Sequence, residues 1–351
     1  MSSFVGYEKM PTLLKGFQLD EKTLREIDKY QWVVTEKIHG ANFSCWYENK
    51  QLRFAKRKEY LQWTDDFFGF QLVVQQIEEK VLALFEELSL AYPAQRCTIY
   101  GELFGGAYPH AEVQADEHLQ AIQTGIYYSP TINFCAFDIA IEPNNSPEDK
   151  FYLPYQEALQ YFEQFGLFHA KPLLIGKLHE VMQFDIRIPS TVPAQLGLPF
   201  INGNLIEGIV VKPYKALPNT LPKRIIFKVK NPEFDESKEF HEAQKWSYVP
   251  VVPSYHEDLA FIADEIRLLI TPNRLDSAIS KVGQLDFANL ARLHAVQQEV
   301  FDDIWVDFQE HSGELWEELT PAQQNWLVQR SVANIRELIE ERRRGVAVPY
   351  I

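Results

Sequence analysis

Residues 36–43 read EKIHGANF. The runs on either side of its centre, WVVTEKI (32–38) and ANFSCWY (41–47), are rich in β-branched and aromatic side chains, which favour an extended chain. His39-Gly40 between them reads as a loop joining two strands, and Gly40, with no Cβ, lets the backbone approach a ligand closely. Lys37 therefore stands where a strand runs into a loop. An isolated lysine in such a place is usually a solvated charge. It becomes a nucleophile only by losing its proton, which burial, neighbouring cations or a metal would favour. The free amine could then attack phosphorus and form a phosphoramidate, provided that cations hold the nonreacting oxygens and the leaving pyrophosphate.

The strand pattern continues outward from this segment. QLRFAKR (51–57) predicts a third strand, returning after the turn at Glu48-Asn49-Lys50. Phe70, Val73, Val74, Ile77, Val81, Leu84, Phe85 and Leu88 recur at helical spacing. RCTIYGELFG (96–105) and TINFCAFDIAI (131–141) read as buried strands, and PNNSPEDK (143–150) as a solvated turn. Residues 154–165 predict a helix that starts at Pro154 and exits at Phe165-Gly166. IEGIVVKP (206–213) and RIIFKVKN (224–231) are further strands, with a Pro-containing loop between them. Beyond about residue 233 the sequence changes to long amphipathic segments: DLAFIADEIRLLI (258–270), QLDFANLARLHAVQQEVFDDIWVDFQE (284–310) and QNWLVQRSVANIRELIEERRR (324–344). The expected fold class is α+β. A domain of antiparallel sheets with helices covers 1–240 and an all-helical C-terminal domain covers 250–351, divided at about 235–252 around VPVVPS.

Composition bounds the function classes. A net charge of -15 argues against a nucleic-acid partner if taken as an average. The average hides an asymmetry: residues 207–230 hold six Lys/Arg against the single acid Glu207, whereas residues 254–320 hold fourteen acids and four bases. A basic working surface is thus compatible with an acidic remainder. No run of 18 apolar residues suggests a membrane span, and MSSFVGYEKM is unlike a signal peptide. Cys45, Cys97 and Cys135 form no C-x-x-C pair and each lies in a strand-like run. They read as reduced core thiols of a cytoplasmic protein, with no structural zinc site.

Several charged residues lie in unusual contexts. Arg53, Lys56, Arg57 and Lys58 fall on or just after a strand, and Lys212, Lys228 and Lys230 on two others. Lys228 and Lys230 are two apart, so they share one strand face, where either an anion or solvent must meet them. Glu102, Asp138 and Glu207 are embedded in apolar strand runs. Such acids are commonly salt-bridged, but three of them beside so many lysines also suit a divalent metal and a nucleotide sugar. Phe137 precedes Asp138 and points to the opposite face of a regular strand, where it would stack on a base or fill the core.

EKIHGANF (36–43), FAKR (54–57), YGELFG (100–105), FCAFDI (134–139), EGIVVKP (207–213) and IIFKVKN (225–231) together resemble the motifs of the covalent nucleotidyltransferases. The chain most closely resembles the RNA ligases of the phage RNA ligase 2 type, a group that also looks like the trypanosome editing ligases. The resemblance implies a nucleotidyltransferase domain of ATP-grasp-like type. It also implies an activity: a lysyl-adenylate forms from ATP, AMP passes to an RNA 5′-phosphate, and the adjacent 3′-hydroxyl closes the bond with release of AMP. Carried over by position, Lys37 matches the covalent lysine and Glu36 the residue whose backbone approaches adenine. His39 and Asn42 match supporting positions, Asn42 near a metal-bound water. Arg57 matches an arginine serving the nucleotide and the RNA 5′-phosphate, Glu102 the acid near the ribose, and Phe137 the adenine-stacking aromatic. Asp138 and Glu207 match acids around the nucleotide, the metal and end joining, with Glu207 also a candidate metal ligand. Lys212 matches a basic position of the family's fourth motif, and Lys228 and Lys230 match its phosphate-contacting pair. ATP and Mg2+ or Mn2+ are the implied cofactors. The implied partner is RNA bearing 3′-hydroxyl and 5′-phosphate ends, at a nick in duplex RNA, engaged in part by the helical domain. His39 separates this type from DNA ligases and capping enzymes, which commonly carry Asp there. Those enzymes, and a noncatalytic RNA-binding protein on a ligase fold, are the alternatives. Thr35 departs from the phage type, which has arginine at that position.

Overall fold

The computed structural model describes residues 4, 6–144, 149–222, 224–232, 234, 246–250, 259–287 and 289–344. The expected boundary at 235–252 lies largely outside these residues, as does the middle of the turn at 143–150. The chain gathers into two compact units, residues 1–85 with 92–251, and residues 86–91 with 252–351.

The first unit follows the alternation of strand-forming runs and turns. In chain order it comprises α1 (Glu21–Ile27), β1 (Gln31–Glu36), β2 (Ala41–Glu48), β3 (Gln51–Lys56), β4 (Tyr60–Leu61), most of α2 (Phe70–Ala91), β5 (Ala94–Ala107), β6 (Ser129–Pro143), β7 (Phe151–Tyr152), α3 (Tyr155–Gln164), β8 (Pro172–Lys177), the short α4 (Leu178–Val181) and α5 (Val192–Gln195), β9 (Gly208–Pro213) and β10 (Phe227–Lys230). The strands form two antiparallel sheets, ordered β10-β9-β1-β8 and β4-β3-β2-β5-β6-β7. β1 and β2 do not pair with each other, since they belong to different sheets. The chain from Lys37 to Gly40 is thus the link that carries it from one sheet into the other. Gly40 is required for that passage. A Cβ built there would overlap the carbonyl oxygen of Leu103 on β5 and meet Glu102 Cγ at 3.0 Å. The close neighbour of Gly40 is therefore protein backbone, where the sequence suggested a ligand.

Burial explains the strand runs. Trp32, Val33, Val34, Thr35 and Glu36 of β1 are all buried, so this central strand reads as a near-continuous apolar run. Trp32 donates its indole N–H to the carbonyl of Ile27 at 2.9 Å. Cys45, Cys97 and Cys135 are buried, unpaired thiols. α3 ends as its residues require: Gly166 adopts φ 63°, and the amide of Leu167 turns back to the carbonyl of Phe162 at 2.9 Å. One irregularity bears on function. On β5, Tyr100 pairs with Asp138 but its neighbour Gly101 pairs with Ala136, which leaves Phe137 as the extra residue of a β-bulge.

The second unit is helical: α6 (Ala260–Leu269), α7 (Pro272–Val282), α8 (Leu290–Glu318) and α9 (Pro321–Arg343), with the last turns of α2. The last three of these helices start at side-chain caps. Thr271, Asn289 and Thr320 accept the amides of Arg274, Arg292 and Gln323, and Pro272 and Pro321 occupy the first turns. α8 breaks at Ser312 (φ −132°). Beyond that break Trp316 returns to pack edge-on to Trp305, with ring centroids 4.6 Å apart. Part of the acidic charge is met within the unit. Arg274 binds Asp303 (2.6 Å) and Asp307, Lys281 binds Glu299 (2.8 Å), and Arg342 binds Asp276 (2.7 Å). Arg330 is buried against Glu86 at 2.7 Å. The C-terminal arginine cluster is therefore partly spent on internal ion pairs. Among the described residues no helix is long and apolar enough to cross a membrane.

Candidate active site

Strand ends bring the candidate residues together. The amide of Lys37 extends the β1–β9 ladder by donating to the Gly208 carbonyl at 3.0 Å. β9 therefore delivers Glu207, the residue before its first, beside Lys37. β10, paired to the other edge of β9 with Lys230 opposite Gly208, delivers Lys230 to the same place. The second sheet supplies the facing wall. Asn42 of β2 lies directly across from Glu102 of β5, Arg57 follows β3, and Phe137 projects from the bulge in β6. An open cleft lies between these groups. Glu36, Lys37, Asn42, Arg57, Glu102, Phe137, Lys212 and Lys228 all line it. His39, Asp138, Glu207 and Lys230 do not line it.

Lys37 is the centre of a charge network. Its Nζ donates to Glu207 Oε2 at 2.5 Å, and His39 Nδ1 lies 3.3 Å from the same oxygen. Lys230 Nζ is 3.8 Å from Glu207 Oε1. Burial pushes the Glu207 carboxyl up, but the His39 hydrogen bond and the charge of Lys37 outweigh it and hold the group at about 2. Glu102 behaves in the opposite way. Burial, reinforced by the negative charge of Glu207, outweighs Lys37 and Arg57 and raises its carboxyl to about 7. Two nearby acids thus have separated affinities for a proton: one is fixed as an anion and the other is poised to change state near neutrality. Lys228 is pulled down by burial and by the proximity of Lys37 and Lys230. Clustered cations that cost free energy in an empty site are suited to receive phosphate oxygens.

Asp138 is placed differently. It is 5% exposed and its two oxygens are taken by Lys212 (2.7 Å) and Arg224 (2.7 Å), with Tyr7 Oη donating at 2.5 Å. Burial raises its carboxyl, yet Lys212 and Arg224 bring it below the ordinary range. The common fate of a strand-interior acid, a salt bridge, is what this aspartate meets. Lys212 also donates to the Phe137 carbonyl at 2.6 Å, so the ion pair fixes the bulge that presents the Phe137 ring. Because the strand is bulged here, the facing assigned to Phe137 on a regular strand does not apply.

The structure adds residues that sequence reasoning passed over. Tyr7, Glu8 and Met10 line the cleft from the N-terminal segment. Tyr7 packs edge-on to Phe137 at 5.1 Å, and Arg224 lies 3.1 Å above the Tyr152 ring. More than 130 positions separate Tyr7 from Asp138, and no local pattern marks such a pairing. Arg224 did carry a signal, as one of the six bases between 207 and 230.

Among the described residues no cluster of three or more His, Cys, Asp or Glu is arranged to hold a metal. Glu207 is already engaged by Lys37 and His39, and the side-chain Nδ2 of Asn42 donates to the Gly101 carbonyl at 3.4 Å. This donor set does not fit a closed protein cage. It does fit a hydrated magnesium-like ion that takes most of its ligands from water and substrate phosphate.

The family model described as RNA ligase matches residues 30–230, more than half of the chain, and the model described as T4 RNA ligase 2 C-terminal matches residues 253–337. Mitochondrial RNA-editing ligase 2 of Trypanosoma brucei brucei is 32% identical over 204 residues, covering 52% of this chain and 48% of its own. RNA-editing ligase 1 of the same organism is 30% identical over 208 residues, covering 52% and 44%. The chain thus spans about half the length of these relatives. A Naegleria gruberi RNA ligase structure with ATP and Mn aligns at TM-score 0.45 and 15% identity, covering 68% of this chain and 60% of that one. With Lys37, Glu102, Glu207, Lys228 and Lys230 all inside the matched span, this chain belongs to the RNA ligase family.

Proposed function

We propose that this protein is an ATP-dependent RNA ligase that works through a lysyl-adenylate on Lys37. The observation that carries the reading is the position of Lys37, on the cleft wall, bonded to Glu207 at 2.5 Å, with Lys228 and Arg57 on the same cleft. Once its ammonium has given up a proton, the Lys37 nitrogen attacks the α-phosphorus of ATP. A P–N bond forms, the bond from that phosphorus to the pyrophosphate oxygen breaks, and pyrophosphate leaves. Lys228, Lys230 and Arg57 are suited to meet the phosphate oxygens, and Phe137 offers a face for the base. Glu102 stands where a ribose hydroxyl could donate to it. A divalent ion, when bound, would supply charge neutralisation on the phosphates, with Asn42 acting through water and Glu207 nearby. The AMP is then transferred to an RNA 5′-phosphate, and an adjacent 3′-hydroxyl displaces it. The substrate favoured by this reading is a nick in duplex RNA, with the helical unit contributing to its binding.

The test is mass spectrometry after incubation with ATP and magnesium. The expected adduct has the mass of AMP, maps to the peptide carrying Lys37 and is absent from Lys37→Ala. Labelling that persists in Lys37→Ala refutes the assignment. A sealing assay on nicked, gapped and single-stranded RNA, with DNA substituted on either side of the break, identifies the polymer. Preference for a DNA 3′-hydroxyl overturns the RNA reading.

A further inference from the structure

The segment 189–205, between α4 and β9, is a compact loop whose ends are tied together. Pro189 and Leu205 form an antiparallel bridge, Ser190 N–H donates to the Asn204 carbonyl at 2.8 Å, and Ile206 N–H donates to the Ile188 carbonyl at 3.1 Å. None of its residues belongs to the motif set that marks the chemistry. Both of its ends nevertheless reach the neighbours of Lys37.

At the first end, three uncharged donors converge on the buried carboxylate of Glu36. Ser190 Oγ donates to Oε1 at 2.7 Å, while Thr191 N and Oγ1 each donate to Oε2 at 2.8 Å. Gln195 in α5 in turn donates to Thr191 Oγ1 at 3.1 Å. At the second end, the buried side chain of Asn204 makes a two-point contact with the backbone of Tyr127. It accepts the Tyr127 amide at 2.9 Å and donates to the Tyr127 carbonyl at 2.7 Å. The next residue, Tyr128, is 2% exposed, and its hydroxyl accepts the amide of His39 at 3.0 Å. The loop then runs through Ile206 into Glu207, the acid that binds Lys37.

We infer that the loop 189–205 is a brace for the nucleophile, in which Ser190 and Thr191 fix Glu36 while Asn204, through Tyr127 and Tyr128, fixes His39. Lys37 lies between the two braced residues, so the brace sets the line from its Nζ to Glu207 and to the phosphorus. A nucleophile that must sit within a few tenths of an ångström of its attack position loses rate when its backbone is freed. Ser190, Thr191 and Asn204 are positioning residues on this account, since none of them touches the reacting atoms. The inference rests on the reading of Lys37 as the adenylated lysine.

The experiment uses the full chain carrying Thr191→Val, Asn204→Ala or Ser190→Ala, with Thr191→Ser as the conservative control. Two quantities are followed in single-turnover adenylylation: the rate constant of lysyl-AMP formation and the fraction of enzyme that becomes labelled. A brace predicts a rate constant at least tenfold lower in Thr191→Val and Asn204→Ala, an unchanged labelled fraction, and recovery to within threefold of wild type in Thr191→Ser. Misfolding would instead reduce the labelled fraction. Thr191→Val added to Glu36→Gln is expected to cost little beyond Glu36→Gln alone, because both act through one carboxylate. Hydrogen exchange at residues 36–39 is the second measurement, and it does not depend on chemistry with ATP. Faster exchange there in the variants supports the brace. Unchanged exchange, or an unchanged rate constant in both Thr191→Val and Asn204→Ala, overturns it. A wild type that forms no lysyl-adenylate defeats the activity reading, and the exchange result alone then decides the brace.

Discussion

Replacing Glu207 by glutamine keeps the shape of the side chain and removes its charge. The carboxylate is 3% exposed, and within 4 Å of its oxygens lie Lys37 at 2.5 Å, His39 at 3.3 Å and Lys230 at 3.8 Å. Its proton affinity falls from an ordinary value of 4.5 to about 2. At about 1.4 kcal/mol for each tenfold change in proton affinity, the ionised state contributes about 3 kcal/mol to the fold at pH 7. The sign follows from the direction of the change. A carboxyl whose folded affinity is depressed stabilises the protein above its unfolded value of 4.5, and the contribution is lost as pH falls toward 2. Glu207→Gln is therefore expected to unfold about 3 kcal/mol more easily than wild type at pH 7, and only about 1 kcal/mol more easily at pH 3. Urea denaturation of both proteins at pH 7, 5, 4 and 3, followed by tryptophan fluorescence, measures the difference. A gap that stays constant from pH 7 to pH 3 refutes the charge account and reassigns the loss to packing. A gap below about 1 kcal/mol at pH 7 refutes the network itself. The same variant should label slowly with ATP, because Lys37 loses the partner that orients it.

Other substitutions separate further roles. Phe137→Ala should raise the KM for ATP about tenfold while leaving the adenylylation rate at saturating ATP within about threefold, as expected for a lost stacking surface; a rate loss at saturation instead would place the ring in the chemistry. Asp138→Asn strands Lys212 and Arg224 without their counter-ion and should destabilise the first unit by about 3 kcal/mol or more at neutral pH, an effect that shrinks in acid because the wild-type carboxyl then protonates. Thermal melts of the two proteins at neutral and acidic pH test this, and an equal difference at both would count against it. Gly40→Ala forces a methyl group into the Leu103 carbonyl and should cost about 1–3 kcal/mol in stability, with slower adenylylation, while Gly166→Ala, which meets open space but must hold φ 63°, should cost about 1 kcal/mol in stability and leave the adenylylation rate unchanged.

Much of the first unit was legible because its elements are local. Strand runs such as WVVTE and IVVKP are apolar on both faces, since both faces of their sheet are covered, and no helix period competes with them. The alignment of Lys228 with Lys230 follows from the two-residue repeat of a strand, and both do reach the Lys37–Glu207 neighbourhood. β8 was not legible. It opens with Pro172, alternates half-buried and exposed residues at a sheet edge, and so lacks the apolar run that marks β1. Asp138 shows the limit for single residues. Its context marks a buried acid that needs partners, but whether these are Lys212 and Arg224 or a metal depends on contacts 74 and 86 positions away. The loop 189–205 was silent for the same reason. Ser, Thr and Asn are ordinary loop residues, and their meaning here lies in what they reach.

The bulge at Phe137 has a consequence for how the sequence tolerates insertions and deletions. From Ile132 to Ile141 β6 is effectively two strands in different phase, residues after Phe137 following one alternation of faces and those before it another. Removing any one residue near 137 would bring the two halves into phase and turn one of them inside out, exposing core side chains such as Phe134 and Ile132. Chains that share this site are therefore expected to vary in side chains along β6 but to keep its count of residues from Tyr128 to Ile141 unchanged. The spacing itself is then part of the cleft, as much as any single residue in it.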